Sequence, residues 1–179
     1  MMTDDINMQR GEQWLKQLLQ LSGVSTDVNS KVGATPGIGV ESQEENSCWL
    51  IIDDSNLMPE QIRTLIGANG SVLDAIQYLA NSVLNVHQPE EEHVPYTIEL
   101  SDYRLRRQSE ITALVRTAVQ EVRFSGREVE MKSLSSFERR QVHSFLKEFP
   151  DLQTFSRGKE PYRNLVVRPA TEPPTDPGY

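Results

Sequence analysis

Two clusters in this chain carry residue types and spacings that could do chemistry. The first is Gly67-Ala68-Asn69-Gly70. Glycine has no Cβ, so this pair permits a tight turn and lets a bound chain come close to the backbone. About four nucleotides of a single strand would lie across such a turn. A plain helix–turn–helix connection has the same local signature, and the four residues alone do not separate the two. The second cluster is Arg139-Arg140-Gln141-Val142-His143. Arg139 and His143 are one helical turn apart, with Arg140 and Lys147 beside them. A helix here would carry a basic stripe suited to phosphates next to an apolar side made of Val142, Phe145, Leu146 and Phe149. Arg139 and His143 are therefore expected on an exposed face, where an ordinary solvated surface is the competing explanation. Arg157, Lys159 and Arg163 would extend the basic surface, and Tyr162 could either stack on a base or pack.

Other reactive residue types are sparse. Cys48 is the only cysteine, which excludes an internal disulfide and a cysteine-rich zinc site. With no basic or histidine neighbour in sequence to activate it, Cys48 is expected to be a buried small residue. His87, His93 and His143 are far apart, so no metal or cofactor is expected. No nucleophile motif, P-loop or paired-acid constellation accompanies Arg139 and His143, which points to binding and not to catalysis. No apolar run approaches the roughly 18–20 residues of a membrane span. The acidic start Met1-Met2-Thr3-Asp4-Asp5 is unlike a secretory signal, so a cytoplasmic chain without membrane insertion is expected.

The formal net charge of −8 over 179 residues conceals a division. Residues 1–102 hold 4 Lys/Arg against 16 Asp/Glu, whereas residues 103–168 hold 14 against 8. Fields act within about a Debye length, so the basic half can engage a polyanion although the whole chain is acidic.

The elements that must position these residues follow from periodicity. Residues 1–10 are expected to be disordered. Trp14, Leu15, Leu18 and Leu19 then mark a helix that stops at Ser22-Gly23. Val24 to Val28 is weakly strand-like, Lys31 to Ser47 has loop chemistry, and Cys48 to Ile52 is a short strand. A helix opening at Pro59-Glu60 leads to the glycine turn, and a second follows with Ser71 and Asp74 at capping-box spacing. Tyr96 to Leu100 alternates like a strand, and the apolar positions from Ile111 to Val122 give a longer helix ending near Gly126. Glu128 to Met131 is strand-like. Ser135 and Glu138 form a second capping-box pattern ahead of the helix that bears Arg139 and His143. Leu152 to Phe155 and Asn164 to Arg168 are strands joined by a turn from Arg157 to Pro161. The proline-rich tail from Pro169 is expected to be disordered.

In this context the two clusters resemble one known family. Leu65-Ile66-Gly67-Ala68-Asn69-Gly70-Ser71-Val72-Leu73-Asp74-Ala75-Ile76-Gln77-Tyr78-Leu79 resembles the KH segment of the bacterial Jag family. The resemblance continues through Asn81 to Asn85 and through Asp102-Tyr103-Arg104 with Arg106-Arg107. Ser135-Ser136-Phe137-Glu138-Arg139-Arg140-Gln141-Val142-His143 resembles the Arg-x-x-x-His ("R-three-H") domain that follows it in that family.

The resemblance implies an α+β chain. Its parts would be a disordered N-terminus (1–10), a type II KH domain (11–101), a small Arg-x-x-x-His domain with a three-stranded sheet (102–168) and a disordered tail (169–179), without a separate N-terminal Jag domain. It implies RNA or single-stranded nucleic acid as partner. The expected contacts are Gly67, Ala68, Asn69, Gly70, Arg139, Arg140, His143, Lys147, Arg157, Lys159 and Arg163. It further implies post-transcriptional control linked to cell elongation or division, with a small KH-only protein as a possible partner. Many members place Lys or Arg where this chain has Ala68 and Asn69. A second expectation therefore stands beside the first, in which the acidic half is an adaptor that docks a protein.

Overall fold

The computed structural model describes residues 2–34, 46–160 and 162–170. They form two α+β units, one ending at Gln108 and one beginning at Ser109. Each unit contains one three-stranded sheet.

In the first unit the order is α1 (Met2–Leu21), β1 (Val28–Ala34), β2 (Asn46–Ile52), α2 (Pro59–Ile66), α3 (Ser71–Asn85) and β3 (Tyr96–Leu100). This is the helix-strand-strand-helix-helix-strand arrangement of a type II KH domain. β1 is antiparallel to β2, and β3 runs parallel to β2. A parallel pair needs a long crossover, which α2, the glycine turn and α3 supply. Leu15, Leu19, Leu50, Ile52, Leu73, Ala80, Ile98 and Leu100 form the centre of the core. Cys48 is buried as expected, and burial pushes its thiol up to about 11.

Residues 2–10 are not disordered but form the first turns of α1. The reason is tertiary: Asn7 is buried, and its carbonyl accepts the Tyr96 hydroxyl at 3.3 Å. Gly11 lies so close to the sheet that a Cβ there would come within 2.9 Å of the Leu50 and Tyr96 side chains. The helix stops at Gly23 in a Schellman arrangement, in which Val24 N–H donates to Leu19 O at 2.8 Å and Gly23 N–H to Gln20 O at 3.0 Å. The first strand begins at Val28, where the expected one ended, and takes in Lys31 to Ala34 from the expected loop. Its polar residues suit a sheet edge, and Lys31 covers the Trp49 ring at 5.4 Å. The remainder of that loop, residues 35–45, lies outside the described residues.

α4 (Tyr103–Ser125) begins in the first unit and ends in the second. The second unit continues with β4 (Val129–Met131), α5 (Ser136–Leu146), β5 (Leu152–Arg157) and β6 (Asn164–Pro169), in an antiparallel sheet of order β4-β6-β5. Its core joins Val115, Val119 and Val122 of α4, Val142 and Leu146 of α5, and Leu165 to Val167 of β6. The expected tail disorder does not begin at Pro169, which closes β6, and Ala170 N–H donates to Asp151 O at 2.9 Å. Residues 171–179 lie outside the described residues.

Candidate nucleic-acid interface

The glycine turn is held in one shape by both of its glycines. Gly67 has φ 73° and ψ −179°, and a Cβ there would meet Val72 Cγ2 at 2.6 Å and Val72 N at 2.9 Å. Gly70 is left-handed at φ 79°, and its Cβ would lie 2.7 Å from the Tyr103 ring. An L side chain is therefore excluded at both positions by backbone conformation and by space. Between them, Ala68 and Asn69 are exposed, and Asn69 itself takes φ 53°. Gly70, not Ser71, is the N-cap of α3 and makes no side-chain cap, so the expected Ser71–Asp74 capping box is not the start of this helix. Asp74 instead receives Arg104 at 2.5 Å.

Arg104 anchors α3, the helix that follows the turn. It also donates to Gln77 Oε1 and to Ile98 O, both at 3.2 Å, so it ties α3 and β3 to the first turn of α4. The buried Glu99 caps that turn by accepting Leu100 N–H at 2.7 Å and Arg104 N–H at 3.2 Å. Burial outweighs these bonds and raises its carboxyl above the ordinary value. A groove of about 600 Å³ runs beside the turn, lined by Leu18, Leu19, Leu65, Val72, Ala75 and Leu79 among others. Its walls include residues of α1, α2 and α3.

In the second unit the local sequence sets α5 firmly. Ser135 Oγ accepts Glu138 N–H at 3.2 Å and Glu138 Oε2 accepts Ser135 N–H at 2.7 Å, so the expected capping box is formed. A groove of about 650 Å³ lies between α5 and β5, an edge strand of its sheet. Arg139, Arg140 and His143 line it from α5, Thr154 and Ser156 from β5, and Glu160 and Arg163 from the turn beyond. His143 Nδ1 is 2.6 Å from Thr154 Oγ1, which fixes the ring at the groove wall.

Arg139 is not on an exposed face. Its side chain is only 7% exposed. Nη1 donates to Leu134 O at 2.8 Å and to Arg163 O at 3.1 Å, while Nη2 donates to Ser136 Oγ at 2.9 Å and to the Glu160 carboxylate. Five N–H donors in a planar fork allow one side chain to bind several acceptors at once, and those acceptors draw Arg139 inward. Arg140, Lys147, Lys159 and Arg163 are exposed. Arg157 is turned elsewhere: it makes a bidentate pair with Glu128 at 2.8 and 3.0 Å and covers Phe155 at 5.4 Å. Lys147, Arg157 and Lys159 do not line the groove. Among the described residues no group of three or more His, Cys, Asp or Glu could hold a metal ion.

The comparisons agree with this division. The family model of the R-three-H domain matches residues 109–169, which coincide with the second unit. An RNA-binding protein KhpB of Lactiplantibacillus plantarum is 35% identical over 103 residues, 58% of this chain and 31% of that protein. One of Clostridium symbiosum is 29% identical over 112 residues, 63% of this chain and 50% of that protein. One of Bacillus subtilis is 26% identical over 110 residues, 60% of this chain and 52% of that protein. The second unit matches the R-three-H domain, and the chain is similar over part of its length to these KhpB proteins. It spans between about a third and a half of the length of these curated relatives.

The G-x-x-G turn and the Arg-x-x-x-His helix are visible in the sequence itself. The residues that hold them, Tyr103, Arg104, Gln77 and Glu99 in the first unit and Glu160 in the second, were not singled out as functional. One signal was available. It is weak: Glu99 and Thr97 are the polar positions of the alternation from Tyr96 to Leu100, which marks an outward face, and only the structure shows that all five residues are buried.

Proposed function

We propose that this chain binds single-stranded RNA, with the groove between α5 and β5 as its phosphate site. The observation that carries this proposal is the convergence of Arg139, Arg140, His143 and Arg163 on one open groove. Arg140 and Arg163 supply exposed charge for phosphate oxygens, with Lys147 and Lys159 adding to the field nearby. The preformed turn at Gly67 to Gly70 offers a backbone path, and the apolar groove beside it offers a surface for unpaired bases. The names of the relatives support RNA as the ligand. We place the protein in the cytoplasm as a regulator that acts after transcription, in a process linked to cell elongation or division. No helix among the described residues is long and apolar enough to cross a membrane.

The test is binding of the full chain to a fluorescein-labelled ten-nucleotide oligouridylate across a potassium chloride series. Three to four phosphate contacts predict a log–log slope of roughly −2 to −3 for a single strand. An affinity independent of salt would refute the phosphate groove.

A second role for the first unit has its own support. Its turn carries no cation, and Tyr78, Leu79 and Val83 on α3 and Val86 just past its end are exposed. We propose this face as the dock for a small KH-only protein. Loss of co-purification on changing Leu79 and Val83 to Ser would support that role, and unchanged co-purification would reject it.

A further inference from the structure

One carboxylate stands in the basic groove. Among the described residues that line it, Glu160 is the only acid, and it sits on the buried Arg139. Its Oε1 accepts from Arg139 Nη2 and from Ser136 Oγ, the latter at 3.2 Å. Ser136 Oγ also accepts from Arg139 Nη2 at 2.9 Å, so a guanidinium corner and a hydroxyl converge on one anionic oxygen in the first turn of α5. A phosphodiester oxygen makes the same demand as this carboxylate oxygen, a charge-assisted N–H and O–H donor pair near a helix N-terminus.

Glu160 is also the replaceable member of the set. Its side chain is 55% exposed, whereas that of Arg139 is 7% exposed. Arg139 is kept in place by the Leu134 and Arg163 carbonyls through Nη1, and these bonds do not depend on Glu160. The turn that carries Glu160 lies between Arg157 and Asn164, with Gly158 at φ 89°.

We propose that Arg139 Nη2 and Ser136 Oγ form a phosphodiester subsite, which Glu160 fills in the free protein and which the nucleic-acid backbone takes over on binding. This rests on the RNA-binding function proposed above and assigns Glu160 a part in it. In the free protein the Arg139 charge is already matched. An incoming phosphate that displaces Glu160 therefore releases a counterion from the strand but leaves a carboxylate to gather one.

The test uses the full chain with Glu160→Gln, which keeps an acceptor for Arg139 and Ser136 but removes the charge. Glu148→Gln, an exposed acid that does not line the groove, reports the general effect of one less negative charge. With the same labelled oligouridylate, Glu160→Gln should bind about three- to tenfold more tightly at 0.1 M salt. Its log–log slope should steepen by roughly 0.7, one phosphate contact on a single strand. Glu148→Gln should change affinity by less than about twofold. Equal effects of the two substitutions, or weaker binding by Glu160→Gln, would overturn the inference while leaving the RNA function intact. Binding by none of the three proteins would overturn both. The native chain gives a readout without substitution: on adding the oligouridylate, the Arg139 Nη2 and Glu160 carboxyl NMR resonances should both move. If they stay while those of Arg140 and His143 move, Glu160 is not displaced.

Discussion

Replacing Arg139 with Ala separates a surface ligand from a buried tie. On the sequence pattern alone the change should weaken binding without unfolding. In the structure it removes the donors of Leu134 O, Arg163 O and Ser136 Oγ from a side chain only 7% exposed. Leu134 is buried, so its carbonyl loses its donor away from water, at a cost of about 1–3 kcal/mol. Arg163 is exposed, so water can reach its carbonyl and the loss there is smaller. Loss of the buried aliphatic stem adds to this, and the total comes to about 3–4 kcal/mol. Glu160 needs no correction, since it can turn to solvent. For a unit of this size each kcal/mol moves the midpoint by about 4–8 °C, so the second unit should melt at least about 12 °C lower. Far-UV circular dichroism measures this. Trp14 and Trp49, the only two tryptophans, both lie in the first unit, so their emission should keep its midpoint. Arg140→Ala is the control on an exposed neighbour and should shift the melt by less than about 2 °C. If Arg139→Ala melts with that control, the carbonyl bonds are not holding the unit together.

Two further outcomes follow from the first unit. Gly70→Ala places a Cβ 2.7 Å from the Tyr103 ring at φ 79° and should destabilise this unit by about 1–3 kcal/mol, read from tryptophan emission in urea; an unchanged midpoint would show that the turn tolerates side chains. Glu99 holds its proton more tightly folded than unfolded, so its contribution is complete below the ordinary carboxylate value and is lost as pH rises through the raised folded value. Glu99→Gln should therefore gain stability relative to the native chain as pH rises from about 4 to 7, and parallel pH profiles in urea titrations would refute the assignment.

Local patterns were enough for much of the architecture. The apolar spacing of α1, α3 and α5 follows from 3.6-residue periodicity, and Gly23 marks a helix end by left-handed geometry that few other residues adopt. Ser135 and Glu138 formed their expected box, because its two bonds join residues three apart and need nothing from elsewhere. The Ser71–Asp74 pattern had the same spacing but failed, because Asp74 faces Arg104, a residue thirty positions away.

The sequence by itself determined the KH-like element order, the G-x-x-G turn, and the helix on which Arg139 and His143 share a side. Those features rest on interactions within a few residues, which periodicity and residue type express directly. The tertiary structure decided which of the basic residues remain available. Arg139 turns inward because carbonyls from Leu134 and Arg163 meet at its guanidinium, and Arg157 turns away because its strand neighbour Phe155 and the distant Glu128 receive it. It also ordered residues 2–10, through the contact of Gly11 and Asn7 with strands far along the chain. A guanidinium or a polar helical turn carries no local mark of its acceptors, and only the packing of distant segments brings those acceptors within reach.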